Sequence, residues 1–335
     1  MKQKLMLLAF VMLTAAGATA QIKTGLHVTN TFHIASAGGW DYLEIGPLND
    51  WLYVSHGTQV NILNKKTGDS VAVIENTTGI HGIAFDVANS RGYTSNGRIN
   101  SVTVFDMHSN KVLAQIATGL NPDAIMYEPF SKKIITCNGR SKNLSIIDPL
   151  QNKTIDSVDV GGKPETAVSD GAGKIFVNIE DKNEIVVIDA ATFKVLQHWG
   201  IAPADGPTGL AYDKVTNRLF AGCDKVLVVA DAATGKIIAT PAIGDGCDGV
   251  AFDAATKNIY TSNGEGTMTV IHEDNANQFT VVENIITKKG ARTIAIDKAT
   301  GLLYLPTAEF EPMKPGEKGR PKMIPGTFQV LVVGK

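Results

Sequence analysis

The chain has 335 residues, a net charge of −2, 19% charged and 44% hydrophobic residues, 33 glycines and 3 cysteines. That composition belongs to a globular protein rather than a disordered one, and it carries no broad basic footprint for nucleic acid. Three cysteines are too few for a disulfide scaffold, and the glycine content predicts many turns.

Residues 1–20 read as an export signal. Met1-Lys2-Gln3-Lys4 is basic, residues 5–13 are apolar, and Ala18-Thr19-Ala20 fits an A-x-A cleavage site before Gln21. No cysteine follows to carry a lipid, and no later stretch reaches the roughly eighteen apolar residues of a membrane span. The expectation is a monomer beginning at Gln21, exported to the periplasm or secreted, with no transmembrane anchor.

Residues 21–335 read as a repeat array forming a single domain. A short block ending in an acid recurs as Gly82-Ile83-Ala84-Phe85-Asp86, Gly209-Leu210-Ala211-Tyr212-Asp213 and Gly249-Val250-Ala251-Phe252-Asp253. Looser copies end at Glu128, Asp170 and Asp297, so the acids stand 42, 42, 43, 40 and 44 residues apart. A seventh copy aligns at Tyr42-Leu43-Glu44-Ile45. After each block come an aromatic or apolar run, an alternating strand ending in acid, a polar turn and a fourth strand. Four β-rich runs per unit of about forty residues, with no amphipathic helix, is the signature of a propeller blade. The last unit has no outer strand of its own, and residues 27–34 alternate suitably to supply it. The fold predicted is all-β, a seven-bladed β-propeller whose last blade is closed by an N-terminal strand.

The units carry Tyr53-Val54-Ser55-His56, Tyr93-Thr94-Ser95-Asn96 and Tyr260-Thr261-Ser262-Asn263, the strand end Val187-Ile188-Asp189, and Gly-x-x-Pro at 119–122 and 161–164. On these motifs the chain resembles the YVTN-repeat, YncE-like family of exported seven-bladed propellers. The resemblance covers essentially all of the sequence after the signal; several repeats lack the proline, and the last blade carries an insertion. It implies the fold and leaves the activity open, because function lives in sites rather than folds.

The side chain five residues before each acid should converge at one mouth of the central channel. In order these are Asp41, His81, Asp123, Glu165, Thr208, Asp248 and Arg292, and six of the seven are ionisable. They form a predominantly anionic ring suited to a small polar or cationic ligand, or to an envelope protein. The second-strand ends, His56, Asn96, Asn138 and Asn263 among them, should reach the same face. Asn there has an ordinary turn explanation, whereas His56 replaces it and is expected beside Asp41 and His81. His56, His81, Asp123 and Glu165 are therefore the candidate ligands for a divalent metal ion. No compact metal motif, Ser-His-Asp arrangement, phosphate loop or CxxC accompanies them.

Cys223 and Cys247 fall on this face in adjacent units. A disulfide is the favoured expectation, with free thiols or soft-metal ligands as alternatives, and Cys137 unpaired. Residues 309–326 form an insertion whose Pro and Gly content argues against a regular strand or helix. It should overlie the mouth, as a loop without fixed structure or as a lid. Lys314, Lys318, Arg320 and Lys322 make it basic against the acidic ring. Two function classes follow: a propeller that binds a ligand or protein at the mouth, or a lactonase-like, metal-dependent hydrolase. The second rests on analogy with gluconolactonase-like propellers.

Overall fold

The structure is a computed structural model that describes residues 23–312 and 321–335. The expected export signal at 1–20, with Lys314, Lys318 and Arg320 of the insertion, lies outside the described residues. Runs rich in Val, Ile, Tyr and Thr, punctuated by polar turns, form seven four-stranded antiparallel sheets. Blade 1 runs outward through Trp40–Ile45, Trp51–His56, Gln59–Asn64 and Ser70–Ile74. The inner strands of blades 2 to 7 are Ile80–Asp86, Pro122–Glu128, Pro164–Ser169, Leu210–Asp213, Cys247–Asp253 and Ala295–Asp297. Blade 7 is completed by Leu302–Thr307, Gln329–Gly334 and, outermost, His27–His33, which pairs antiparallel with Gln329–Gly334. The molecule is a β-propeller closed by its N-terminal strand, as the repeat predicts. Closure gives Gln329–Gly334 a partner on its outer side and ties the two ends of the described chain into one blade.

Hydrophobic clusters lie between blades rather than around one centre. Phe176 and Ile185 of blade 4 meet Leu219 and Val228 of blade 5, and Leu52 and Val54 of blade 1 meet Tyr304 and Val330 of blade 7. Glycine lets the innermost strands approach: a Cβ on Gly209 would lie 2.6 Å from Val250 N, in blade 6.

The repeated acids have structural work at the face opposite the mouth. Asp213 accepts from Val215 N and from the backbone and hydroxyl of Thr216, and Glu128 does the same for Phe130 and Ser131. Asp189 and Asp231 cap the turns after third strands with Thr192 and Thr234. A short acid that bonds the backbone two and three residues on fixes a tight turn.

The Thr-Ser-Asn triplet is a three-part clamp. Asn96 is buried, accepts from Thr94 Oγ1 at 2.9 Å and donates to Thr103 Oγ1 at 2.9 Å on the third strand. Asn138 and Asn263 repeat this with Ser145 and Thr269. The middle residue reaches into the next blade: Ser95 donates to Asp123 O, and Ser262 to Arg292 O at 2.5 Å. Asn178 donates to Thr208 O at 3.0 Å, Thr208 to Cys247 O at 2.7 Å, and Thr293 to Asp41 O at 2.6 Å. The last of these closes the ring.

The three cysteines are free, buried thiols, which corrects the expected disulfide. Cys223 packs in the cluster between blades 4 and 5, and Cys247 in the cluster between blades 5 and 6. They lie on opposite sides of blade 5.

Thr293→Val keeps the side-chain volume but leaves the Asp41 carbonyl without its buried donor. It should cost about 1–3 kcal/mol in urea unfolding, and an unchanged midpoint would show that the latch carries no stability. Thiol titration of the denatured, unreduced protein should find all three cysteines; a count of one would restore the disulfide.

Candidate functional site

Five inner strands shift register at the same point: Trp40/Leu43, Ile80/Ile83, Pro122/Ile125, Pro164/Ala167 and Cys247/Gly249. Such a bulge inserts a residue and re-aims its side chain. The residues inserted here include Asp41, His81, Asp123, Glu165 and Asp248. Ser hydroxyls satisfy the backbone donors this frees, as Ser55 does for Asp41 N at 3.0 Å and Ser95 for Gly82 N at 2.8 Å.

His81 Nδ1 lies 2.6 Å from Asp41 Oδ2 and 3.5 Å from Asp123 Oδ1. One ligating atom from each of these three residues falls within 4.8 Å of the others. Arg292 pairs with Asp248 and lies 3.5 Å from Asp41 Oδ1, while Lys163 bonds both Glu165 and Glu180. The ring is thus a mixed-charge surface: three internal cations partly match its acids.

Burial, then the charge of Asp41, pushes the Asp123 carboxyl up to about 6. Burial and the nearby Asp123 push Glu165 up to about 8. Burial opposes charge on His81, but the hydrogen bond to Asp41 and the charge of Asp123 outweigh it and raise its pKa. Tyr42, on the inner strand of blade 1, packs against the cluster of blades 3 and 4 across the channel. Burial, then the charges of Asp123, Asp41 and Glu165, hold its phenol well above the usual range.

The second-strand ends do not join this group. His56 is buried with Nδ1 2.6 Å from Ser36 Oγ and Nε2 2.8 Å from Gly38 O, and it stacks on Phe328 at 3.9 Å. Both ring nitrogens are engaged, which corrects its placement beside Asp41 and His81 as a metal ligand. Burial also lowers its pKa, so it is a neutral packing group. Asn96, Asn138 and Asn263 are committed to their clamps, and Thr208 to the Cys247 carbonyl. Glu165 is tied to Lys163 rather than to the His81 group.

Lys163 and Glu180 were legible in the repeat as exceptions. Two residues before each ring position stand Gly39, Gly79, Asn121, Lys163, Gly206, Gly246 and Gly290. Gly79, Asn121, Gly206, Gly246 and Gly290 have positive φ, a conformation costly for most side chains. In blade 4 the left-handed residue is Gly161, with φ 76°, which frees position 163 to carry a side chain. Glu180 likewise stands where blades 1, 2, 3 and 6 have Gly57, Gly97, Gly139 and Gly264. At Gly97 a Cβ would lie 2.7 Å from His81 Nε2, so the glycine leaves room for the imidazole.

The insertion folds back beside the mouth. Phe310 bridges Met323, Glu311 N donates to Lys322 O at 2.8 Å, and Lys322 pairs with Glu311 at 3.3 Å. These rungs give its base more order than its Pro and Gly content suggests. Trp40, Phe310, Lys289 and Arg292 line a cavity of about 470 Å³ there, with Asp248 and a floor of glycines.

No family model matches the chain, and no curated protein matches it. Among solved structures it is similar to hydrazine synthase of Kuenenia stuttgartiensis, with TM-score 0.71 over 82% of this chain and 94% of that one. At 15% identity this likeness is one of propeller fold. Among the described residues, no helix is long and apolar enough to cross a membrane.

The folded chain holds the Asp123 proton up to about 6 against an ordinary 3.8. Stability from this group is therefore highest at acid pH and declines as pH rises between those values. Asp123→Asn should remove the decline, making the variant more stable than the parent at pH 8 by on the order of 2 kcal/mol, with little difference at pH 4. Urea unfolding across that range tests it, and a difference independent of pH would refute the assignment.

Proposed function

We propose that this chain is an exported propeller of the YVTN-repeat, YncE-like kind that binds a small polar ligand at the mouth of its channel. The observation that carries this reading is the convergence of Asp41, His81, Asp123, Glu165 and Asp248 from five blades through the same backbone bulge. A rigid scaffold that aims several charged groups at one concave place supports recognition by fixed hydrogen bonds and charge pairs. His81 Nε2, above Gly97, makes no hydrogen bond among the described residues and supplies a titratable contact. The apolar run and A-x-A site at the N-terminus support export.

A second reading has a specific observation behind it. Asp41, His81 and Asp123 offer three atoms close enough to hold a divalent cation, a nitrogen and two carboxylate oxygens. A bound metal would supply an activated water for lactonase-like hydrolysis. Against it stand the Arg292 guanidinium 3.5 Å from Asp41 and the loss of His56 and Glu165 from the ligand set. The binding reading is the stronger.

A thermal-shift screen of small polar compounds should yield ligands whose affinity falls at least about tenfold in both Asp123→Asn and Arg292→Met. Ligands indifferent to both changes would sink the reading. Calorimetric titration with zinc, manganese and calcium should find no stoichiometric tight site; one that is lost in Asp123→Asn would favour the metal reading instead.

A further inference from the structure

We propose that the cavity beside the ring, between blades 6, 7 and 1, takes a flat anionic small molecule of the aromatic carboxylate class. The inference rests on the binding reading above and names the ligand chemistry of that mouth. Its volume of about 470 Å³ falls in the range of roughly 300–1,000 Å³ of small-molecule sites.

The wall is aromatic and braced. Trp40 meets Phe310 at 5.9 Å on one side and stacks on Phe328 at 5.4 Å, and Phe328 in turn stacks on His56. His56 thereby acts as a positioning residue: its bonds to Ser36 and Gly38 fix the stack that orients the Trp40 indole. Phe310 is held by the base of the insertion, where Ile324 N donates to Glu309 O at 2.9 Å and Glu309 pairs with Lys288. It sits over Gly290, where a Cβ would come within 2.8 Å of its ring. Aromatic rings lining a cavity favour stacking with a flat occupant.

The charge of the lining selects an anion. Asp248 is matched by Arg292, which leaves Lys289, a cation with no ion-pair partner among the described residues. The Lys289 ammonium offers a carboxylate a charge-assisted hydrogen bond. The Trp40 indole N–H is buried with no hydrogen-bond partner among the described residues, and its ring lines the same cavity, so its signal reports on an occupant there.

The experiment is calorimetric titration of the full chain with indole-3-carboxylate, its primary amide and acetate. The aromatic acid should bind one to one, the amide at least tenfold more weakly, and acetate not measurably. Lys289→Ala, which touches no ion pair, should weaken the acid about threefold and leave the amide unchanged. Trp40→Phe should preserve the fold, remove one indole N–H resonance and so identify the signal that shifts when the acid is added to the parent. Equal binding of acid and amide, or an indole signal that does not move, overturns the proposal. If the aromatic acids fail while other compounds still lose affinity in Asp123→Asn, the cavity inference falls and the mouth reading stands. If neither group responds, both fall.

Discussion

A side-chain donor on one blade bonded to a backbone carbonyl of the next is the contact on which the mouth depends. Each bulge that aims an acid inward leaves backbone groups without ladder partners, and a buried unpaired carbonyl is costly. Ser95, Asn178, Thr208, Ser262 and Thr293 answer that cost and, in the same bond, fix where the next ring residue begins. Two junctions lack such a bond among the described residues, and both are bridged by charge. His81 joins Asp41 between blades 1 and 2, and Lys142 joins Asp181 at 2.7 Å between blades 3 and 4. At the second of these, Cys137 stands where the other triplets have serine. Asp181 also receives Lys163 N at 2.6 Å, so the residue that departs most from the glycine pattern is held by the same substitution of charge for hydroxyl.

Acids serve two separate ends of the molecule. Those that end the inner strands are buried but spent on turns, where backbone N–H groups and neighbouring hydroxyls satisfy their oxygens. Those at the bulges are crowded and partly desolvated, and two have their proton affinity raised accordingly. A net charge near zero conceals this division. It also conceals that Arg292, Lys163 and His81 lie within the ring, so a ligand meets paired charges that it must match or exchange.

The ring was legible in the sequence because a period near forty residues fixes register, and register fixes which end of the channel a side chain reaches. Asp41, His81, Asp123 and Asp248 followed from counting alone. His56 did not, because its slot is built by Ser36 and Phe328, residues brought there by the closure of the last blade rather than by the repeat. The cysteines misled for a different reason: nearness along a face says nothing about which side of a sheet a side chain takes. Trp40, Phe310 and Lys289 gave no periodic signal, since the cavity is made where the insertion interrupts the pattern. Lys163 and Glu180 did give one, as charged side chains in columns held mostly by glycine.

Tyr42 leaves the inner strand of blade 1 and packs against the cluster of blades 3 and 4 on the far side. Such a crossbar ties opposite walls of the ring to one another. A guest too large for the ring would have to part that contact before the blades could spread.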